Sequence, residues 1–556
     1  MATLVVPRFD PEEPWPTLGP QVCDLIEERS IFGPGSLQGE PAVLDADKRA
    51  AIYSFYEVYP QGHQWAGRRR YKRCGYCVRK GLAKTELLAW VAEAELHPEG
   101  PVRCDGFDAN GNPVGRPVKA PYIPLLAVTV EQVEELAYGA LLYMITEGPD
   151  ADLFDATNER IVRLSPTGTA DGKAVALANS PGARDGARTT FQGFDEPHRL
   201  ILPRQLQAHT TMKANLPKRP LEDAWGLYVG TAGEPGEGSV AEGLHREAEA
   251  IDRGEIKEPR LFYFYRYAAG KYDLTKKTER LEAIKEATGP VGEWGPGQFD
   301  DIASQWDTPD SDKKYLERVW LNRWTRSDEQ AFDVIRRSQL LVPGRIKPGS
   351  FVTAGFDGAR FRDSTGIVIT DIETGRQQLW AAWERPLDLP DDAEWEIPED
   401  EVTASVEQLM TTMRVWRFNG DPPHWTETMG SWAGRWDCVE EWWTARKLPM
   451  AKAIRSYGEA LASGAVKFAY AGEKPDGSDD PDEVLFAKHA AAAGRRDVNL
   501  WDDDGKRLFI LKKLHPDRKF DIQMAAVLSW EAYLAALRAN AQPPKRRKRQ
   551  PVRRLR

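Results

Sequence analysis

From about residue 46 to residue 335, short apolar runs alternate with stretches whose apolar residues recur at helical spacing. That alternation predicts a parallel sheet covered by helices. The runs Tyr122–Val130, Lys173–Asn179, Thr189–Phe194 and Gly226–Gly230 predict strands, and Ala83–Ala94 and Val130–Thr146 predict helices. Residues 1–45 are rich in Pro and Gly and are expected to form an arm or peripheral cap. Residues 341–350, LVPGRIKPGS, have the Pro and Gly content of a linker.

A different order follows the linker. Three strand-like runs, Phe351–Phe356, Gly366–Thr370 and Gln377–Trp383, are separated by short turns. A helix over Asp400–Val415 leads to a brief strand ending at Asp421, and a last helix spans Asp521–Arg538. Three antiparallel strands followed by alternating helices and strands is the order of a ribonuclease-H-like fold. The expected organisation is therefore an arm (1–45), an α/β domain (46–340), a linker (341–350), a second α/β domain (351–540) and a tail (541–556).

Composition adds bounds to this picture. A chain of 556 residues is too long for one compact core and fits two domains. With 41% hydrophobic and 29% charged residues it resembles an ordinary globular protein, and no run reaches the ~18 apolar residues that span a bilayer. The acidic, proline-punctuated start MATLVVPRFDPEEPWP is not a secretory signal. Five cysteines are too few for a disulfide framework and fit a reducing compartment. A net charge of −10 excludes a uniformly basic surface, yet local patches set the field that nucleic acid meets. The tail KRRKRQPVRRLR from Lys545 is such a patch, suited to phosphates or to an acidic partner, or else only to solubility. The run Arg68–Arg73 (RRRYKR) either touches phosphates or is a solvated edge. Cys74 and Cys77 have zinc-ligand spacing, but with no second pair chance is the better explanation.

Candidate chemistry sits at strand ends. In CVRKGLAKTE (Cys77–Glu86), Lys84 and Thr85 open a predicted helix, where backbone N–H groups and the helix dipole suit a triphosphate. Lys84 would reach the β/γ oxygens and Thr85 would hold Mg²⁺. The usual G-x-x-x-x-G-K-[ST] is not met, since Val78 and Ala83 occupy the glycine positions. In FQGFDEPH (Phe191–His198), Asp195 would complete the Mg²⁺ shell and Glu196 would polarise the attacking water. Gln192 and Gly193 interrupt the apolar run that a central strand needs. The strand in Leu227–Gly233 (LYVGTAG) ends in small residues placed to sense the γ-phosphate.

The second half offers acids. Asp357 ends the first strand after the linker, Asp421 follows a short strand, and Asp521 opens the last helix on a face shared with Met524, Ala525 and Leu528. Carboxylates converging from separate elements suit two divalent cations, which prefer oxygen ligands. Asp363 is an auxiliary ligand or a turn cap. Asp517 and Glu427 are nearby alternatives, and His489 is either structural or catalytic.

Together these residues resemble the large subunit of tailed-phage terminases, over roughly residues 50–540. The family's deviant phosphate loop is similar to Arg79, Lys80, Gly81, Leu82, Ala83, Lys84 and Thr85, with either Arg79 or Lys80 as the loop's arginine. Its acidic pair resembles Asp195 and Glu196, and its coupling motif resembles Gly230–Gly233 with Thr231. Ala127–Gln132 (AVTVEQ) is similar to the segment after the phosphate loop, and Tyr315–Trp324 (YLERVWLNRW) to the helix that closes the ATPase domain. The resemblance implies a P-loop ATPase domain followed by a ribonuclease-H-like nuclease, with ATP and Mg²⁺ or Mn²⁺ as cofactors and two ions held by Asp357, Asp421, Asp521 and Asp363. It also implies a trans-acting arginine finger, with Arg184 first and Arg188 second among the candidates. The implied partners are double-stranded DNA, a portal protein, a small terminase subunit and further copies in a ring of five on the procapsid. Such a protein acts in the host cytoplasm and leaves before the virion is complete. The alternatives are a DNA-binding structural ATPase whose second domain docks a partner without cutting, and a repair helicase-nuclease, for which a second helicase domain is missing.

Overall fold

The computed structural model describes residues 2–126, 137–177, 186–309, 311–325, 330–361, 363–386, 394–472, 480–502, 505–514 and 518–543. The chain divides into two compact units, Met1–Ser327 and Asp328–Arg556.

The described strands of the first unit are β1 (Ala2–Val6), β2 (Arg73–Cys77), β3 (Arg103–Phe107), β4 (Pro113–Arg116), β5 (Tyr122–Leu126), β6 (Phe154–Ala156), β7 (Arg160–Leu164), β8 (Ala170–Leu177), β9 (Phe191–Asp195), β10 (Trp225–Gly230) and β11 (Leu261–Tyr267). Nine form one sheet in the order β1-β11-β2-β10-β9-β5-β8-β7-β6, while β3 and β4 form a separate hairpin. From β11 to β8 the strands run parallel, and β1, β7 and β6 add antiparallel edges. The helix Lys84–Leu96 is buried along nearly its whole length, including Leu87, Leu88, Trp90 and Val91, so its apolar residues fill the core rather than one stripe.

Both interruptions of β9 have physical reasons. Gln192 is buried, and its side-chain nitrogen is satisfied, donating to Thr189 Oγ1 (2.8 Å) and to the Met212 carbonyl (2.7 Å). A Cβ at Gly193 would lie 2.4 Å from Leu125 Cδ2 and 3.0 Å from Leu88 Cδ1, so only glycine lets strand and helix approach here.

Residues 1–45 are not an arm. The strand β1 pairs with β11 from Ala2↔Tyr267 to Val6↔Tyr263, and the helix Gly19–Arg29 buries Val22, Cys23 and Ile26 in the main core. Those three residues form one helical face that the surrounding Pro and Gly obscure. The basic run Arg68–Arg73 is neutralised from within: Arg68 and Lys72 pair with Asp223, Arg70 with Glu57 and Arg73 with Glu247. Arg69 is buried and lies 4.0 Å from the Trp225 ring centroid. Cys74 and Cys77 point to opposite faces of β2, into different core clusters, so they share no metal.

Two carboxylates of the Lys84–Leu96 helix are buried. Glu95 accepts from Tyr56, Trp225 and Arg103. Glu93 accepts only from Ser30 Oγ among the described side chains, and burial pushes its pKa from 4.5 up to about 8. A raised carboxyl pKa makes the fold lose stability as pH rises from about 4.5 to about 8, because the unfolded chain ionises first; above that window the loss is constant. Replacing Glu93 by Gln keeps a polar partner for Ser30 and removes the titration. Glu93→Gln should therefore unfold at a higher temperature than wild type at pH 8, by an effect of order 4 kcal/mol, and the two should converge near pH 5. An equal difference at both pH values, in thermal melts, would show that Glu93 is charged when folded.

The described strands of the second unit are β12 (Leu341–Pro343), β13 (Phe351–Gly358), β14 (Ser364–Asp371), β15 (Arg376–Glu384), β16 (Arg414–Gly420), β17 (Val439–Glu441), β18 (Lys467–Tyr470), β19 (Ala493–Trp501) and β20 (Arg507–Lys513). Seven make a sheet in the order β12-β18-β15-β14-β13-β16-β17, and β19 with β20 forms a hairpin. The meander β13-β14-β15 is antiparallel, and β16 then joins β13 in parallel. The helix Asp521–Arg538 lies on this sheet so closely that a Cβ at Gly355 would sit 2.0 Å from the Ala525 carbonyl oxygen.

Two expected boundaries move. Leu341–Pro343 is a strand paired with β18 rather than linker, and Gln330 already bridges to Gly494, so the second unit begins near residue 328. Of the Pro and Gly that suggested a linker, Pro343 ends β12, and Gly344, Pro348 and Gly349 lie between β12 and β13. The helix expected over Asp400–Val415 spans Glu399–Thr412, because Arg414 and Val415 are claimed by pairing with Phe351 and Val352. No helix of the described residues is long and apolar enough to cross a membrane.

Candidate functional site

Because β11, β2, β10 and β9 are parallel, the segments that follow β2, β10 and β9 all leave the same edge of the first sheet. In open α/β sheets ligands bind at that edge. The chain leaves β2 at Cys77, turns through residues 78–83 and enters a helix at Lys84. The last turn residue, Ala83, has φ 49°, a left-handed conformation that disfavours a side chain by roughly 1 kcal/mol. This is the position where a glycine was expected, and the strain explains that expectation.

Lys84 is buried with its Nζ 2.9 Å from Glu196 Oε1. Thr85 Oγ1 donates to Asp195 Oδ2 at 3.1 Å, while Asp195 Oδ1 is buried without a hydrogen-bond partner among the described residues. Burial, with the charge of Glu196 beside it, pushes Asp195 up to about 7. Burial also opposes ionisation of Glu196, but Lys84 and His198 outweigh it and hold this carboxyl well below the usual range. Glu196 has φ 50°, so the acid sits on a strained turn, a conformation that clusters at functional sites. His198 Nδ1 lies 2.9 Å from Glu196 Oε2 and 3.5 Å from Thr231 Oγ1, linking the acid to the end of β10.

Arg79 and Lys80 separate clearly. The Arg79 side chain is buried, its Nε donating to Thr288 Oγ1 at 2.5 Å and its Nη1 to the Lys80 carbonyl at 2.7 Å. Burial without a carboxylate lowers its pKa to about 10. Lys80 is exposed. Gly81 has φ 78° and Leu82 is buried in the main core. Arg188 is exposed, and Arg184 and Ala127–Gln132 lie outside the described residues.

In the second unit, parallel pairing of Phe356 with Gly420 sets Asp357 and Asp421 at the same ends of β13 and β16. The Asp421 amide donates to the Phe356 carbonyl at 3.1 Å. Asp521 opens its helix behind them, and its carboxylate accepts from Ser364 Oγ. All three acids are buried. Burial and then the charges of Asp521, Asp421 and Asp363 raise Asp357 well above the carboxylate range. Burial raises Asp421 despite its bonds from Thr444, and burial with Asp363 raises Asp521. Asp363 is paired with Lys513 at 2.6 Å and with Lys519 at 3.5 Å. Among the described residues no three His, Cys, Asp or Glu side chains are gathered tightly enough to hold a metal ion. Asp421 and Asp521 instead turn to the hydroxyls of Thr444 and Ser364, and Asp363 to two lysines. The mutual electrostatics still fit a divalent cation, since Asp357 has no cationic partner among the described residues and the charges that raise it are those of three other acids.

His489 accepts from the Ile522 amide through Nδ1 (3.2 Å), so its proton lies on Nε2, 3.0 Å from Glu384 Oε1. The ring thus pins the first turn of the Asp521 helix, which is a structural role. Glu427 is exposed, unlike the three acids, and Asp517 lies outside the described residues. Sequence reasoning missed His198, Ser364 and Thr444. Only His198 carried a signal, its place two residues after an acidic pair.

No protein-family model matches the chain. Over 387 residues it is 24% identical to the Gene 13 protein of Mycobacterium phage L5, covering 64% of this chain and 62% of that protein, less than two thirds of the relative's length. It is 23% identical over 452 residues to the Gene 13 protein of Mycobacterium phage D29, covering 72% of this chain and 70% of that one. Its structure is similar to the large terminase of bacteriophage HK97, with a TM-score of 0.50 and 16% identity over 93% of this chain and 100% of the other. The chain has the large-terminase fold. This fold places a P-loop-type parallel sheet in the first unit and a ribonuclease-H-like sheet in the second, as the residue patterns implied.

Proposed function

We propose that this protein is the large subunit of a phage terminase, hydrolysing ATP to move double-stranded viral DNA into a procapsid and cutting concatemeric DNA with a metal-dependent nuclease. The observation that carries the reading is the presence, in one chain of this fold, of a Lys84–Glu196 and Thr85–Asp195 cluster at the edge of one sheet and three buried acids at the ends of another. In the first site Lys84 leaves Glu196 to reach the phosphates, and Glu196, freed as a carboxylate, orients the attacking water. Thr85 and Asp195 would hold Mg²⁺, which neutralises phosphate charge. Thr231, reached from Glu196 through His198, passes the change at the γ-phosphate to the strand β10. Arg184 of a neighbouring copy is the candidate finger.

In the second site Asp357, Asp421 and Asp521, with Asp363 as auxiliary, would hold two Mg²⁺ or Mn²⁺ ions, which supply charge neutralisation at the cleaved phosphate. Ser364 and Thr444 orient two of these carboxylates. The proposed partners are DNA, a portal protein, a small terminase subunit and other copies in a five-membered ring. The proposed location is the host cytoplasm and, transiently, the procapsid rather than the mature virion.

The test is a pair of assays on the full chain. It should hydrolyse ATP with Mg²⁺ and, without nucleotide, nick supercoiled plasmid in Mn²⁺. ATP hydrolysis with no nicking at any metal concentration would favour the structural ATPase whose second domain docks a partner.

A further inference from the structure

The residue that joins the phosphate loop to the coupling loop is neither an acid nor a base but a buried amide. Asn322 follows the helix Lys313–Leu321 and has φ 51°, a left-handed conformation that Asn tolerates well at a helix end. Its side chain is fully buried, and three of its four hydrogen-bonding positions are used on backbone groups. Nδ2 donates to the Cys77 carbonyl (3.1 Å), where β2 gives way to the phosphate loop. It also donates to the Arg266 carbonyl (2.7 Å) in β11. Oδ1 accepts from the Ala232 amide (2.7 Å), beside Thr231. One amide thus joins β11, the end of β2 and the loop that follows β10, at the edge where the nucleotide is proposed to bind.

The surrounding bonds make this a rigid attachment. The Lys80 amide, inside the phosphate loop, donates to the Val319 carbonyl at 2.8 Å. The Ala268 amide donates to the Leu321 carbonyl at 3.0 Å, and Tyr265 Oη donates to the Asn322 carbonyl at 2.6 Å. Gly233, next after Ala232, is wedged between His198 and Trp324, where an added Cβ would lie 3.1 Å from each. The end of the Lys313–Leu321 helix therefore holds both the loop expected to grip phosphate and the loop expected to sense its loss. Displacing either loop breaks a bond to the same side chain and leaves a buried polar group unpaired.

We propose that Asn322 is a positioning residue for ATP hydrolysis, which locks the coupling loop in register with the phosphate loop so that Glu196, His198 and Thr231 meet the γ-phosphate together. The inference rests on the ATPase reading above. Asn322 is fully buried and bonds protein groups, so its effect should fall on turnover rather than on binding.

The test is Asn322→Gly in the full chain, which keeps the left-handed backbone and removes the side-chain bonds, those to backbone and those to Cys77 Sγ alike. Binding of a fluorescent non-hydrolysable ATP analogue should remain at the wild-type stoichiometry, with affinity within about threefold, while turnover per bound nucleotide falls at least about tenfold. Normalising to bound nucleotide separates positioning from mere loss of folded protein. Turnover per bound nucleotide within twofold of wild type would overturn the proposal. If the variant does not fold, amide exchange on the wild type decides: the Ala232 and Lys80 amides should gain protection together when the analogue binds. Protection at only one of them, or at neither, overturns the proposal. A wild type that binds the analogue but hydrolyses no ATP would instead sink the ATPase reading itself.

Discussion

Glu196→Gln should bind ATP about as well as wild type and hydrolyse it roughly 10²–10³-fold more slowly. Lys84 and His198 keep the Glu196 carboxylate ionised, so it is available to orient the attacking water. Gln preserves the shape and can still meet Lys84, so binding should survive. Lys84→Ala is the contrasting variant. It removes the buried cation placed to reach phosphate and strands Glu196 with His198 as its remaining close partner. ATP affinity should then fall by about ten- to a hundredfold, in line with a lost hydrogen bond to a charged group. Fluorescent-analogue titration and single-turnover hydrolysis separate the two effects. Unchanged single-turnover rates in Glu196→Gln would remove this residue from the chemistry.

The contrast between these variants was visible in the residue order, since a Lys-Thr pair opening a helix and an acidic pair ending a strand are local patterns with local causes. What the sequence could not show was set by distant partners. Gln192 and Gly193 looked wrong for a central strand because their justification lies elsewhere: the Met212 carbonyl accepts from the side-chain nitrogen of one, and Leu88 and Leu125 leave no room for a side chain on the other. The N-terminal segment misled for the opposite reason. Its Pro and Gly residues are real turn formers, but they flank a three-residue apolar face that finds its partners in the core. Arg68–Arg73 looked like a phosphate-binding run, and its neutralising acids, Glu57, Asp223 and Glu247, are up to 174 residues away in the chain.

The second unit was legible for a related reason. Its sheet begins with a meander whose pairings are short in sequence, so strand order follows from chain order. Asp357, Asp421 and Asp521 each sit at an element boundary, and strand ends meet at one edge when neighbours are parallel. The partners of those acids, Ser364 and Thr444, are ordinary hydroxyl residues with no spacing rule to mark them. Asn322 was hidden in the same way: it ends a helix, as many Asn residues do, and only the strand order reveals that its amide reaches two strands and the loop after a third.

The largest effect is expected at Asp357. With Mn²⁺ the wild type should nick supercoiled plasmid, and Asp357→Asn should lose at least about 10²-fold of that activity, since a displaced ligand misplaces the reacting groups. ATP hydrolysis should be unchanged, because the substitution lies in the other compact unit. Stability supplies an independent readout. Without metal, Asp357 is buried among Asp521, Asp421 and Asp363 with no cation of its own among the described residues, so a neutral Asn should leave the metal-free protein at least as stable as wild type. Adding Mn²⁺ at about a hundred times its dissociation constant should stabilise the wild type by about 2.7 kcal/mol, since the ion binds the folded state. Asp357→Asn should gain only a small part of this. Calorimetric melts with and without Mn²⁺ measure both halves. If the variant gained as much stability from Mn²⁺ as the wild type did, Asp357 would not be a ligand, and the buried acids would need another explanation.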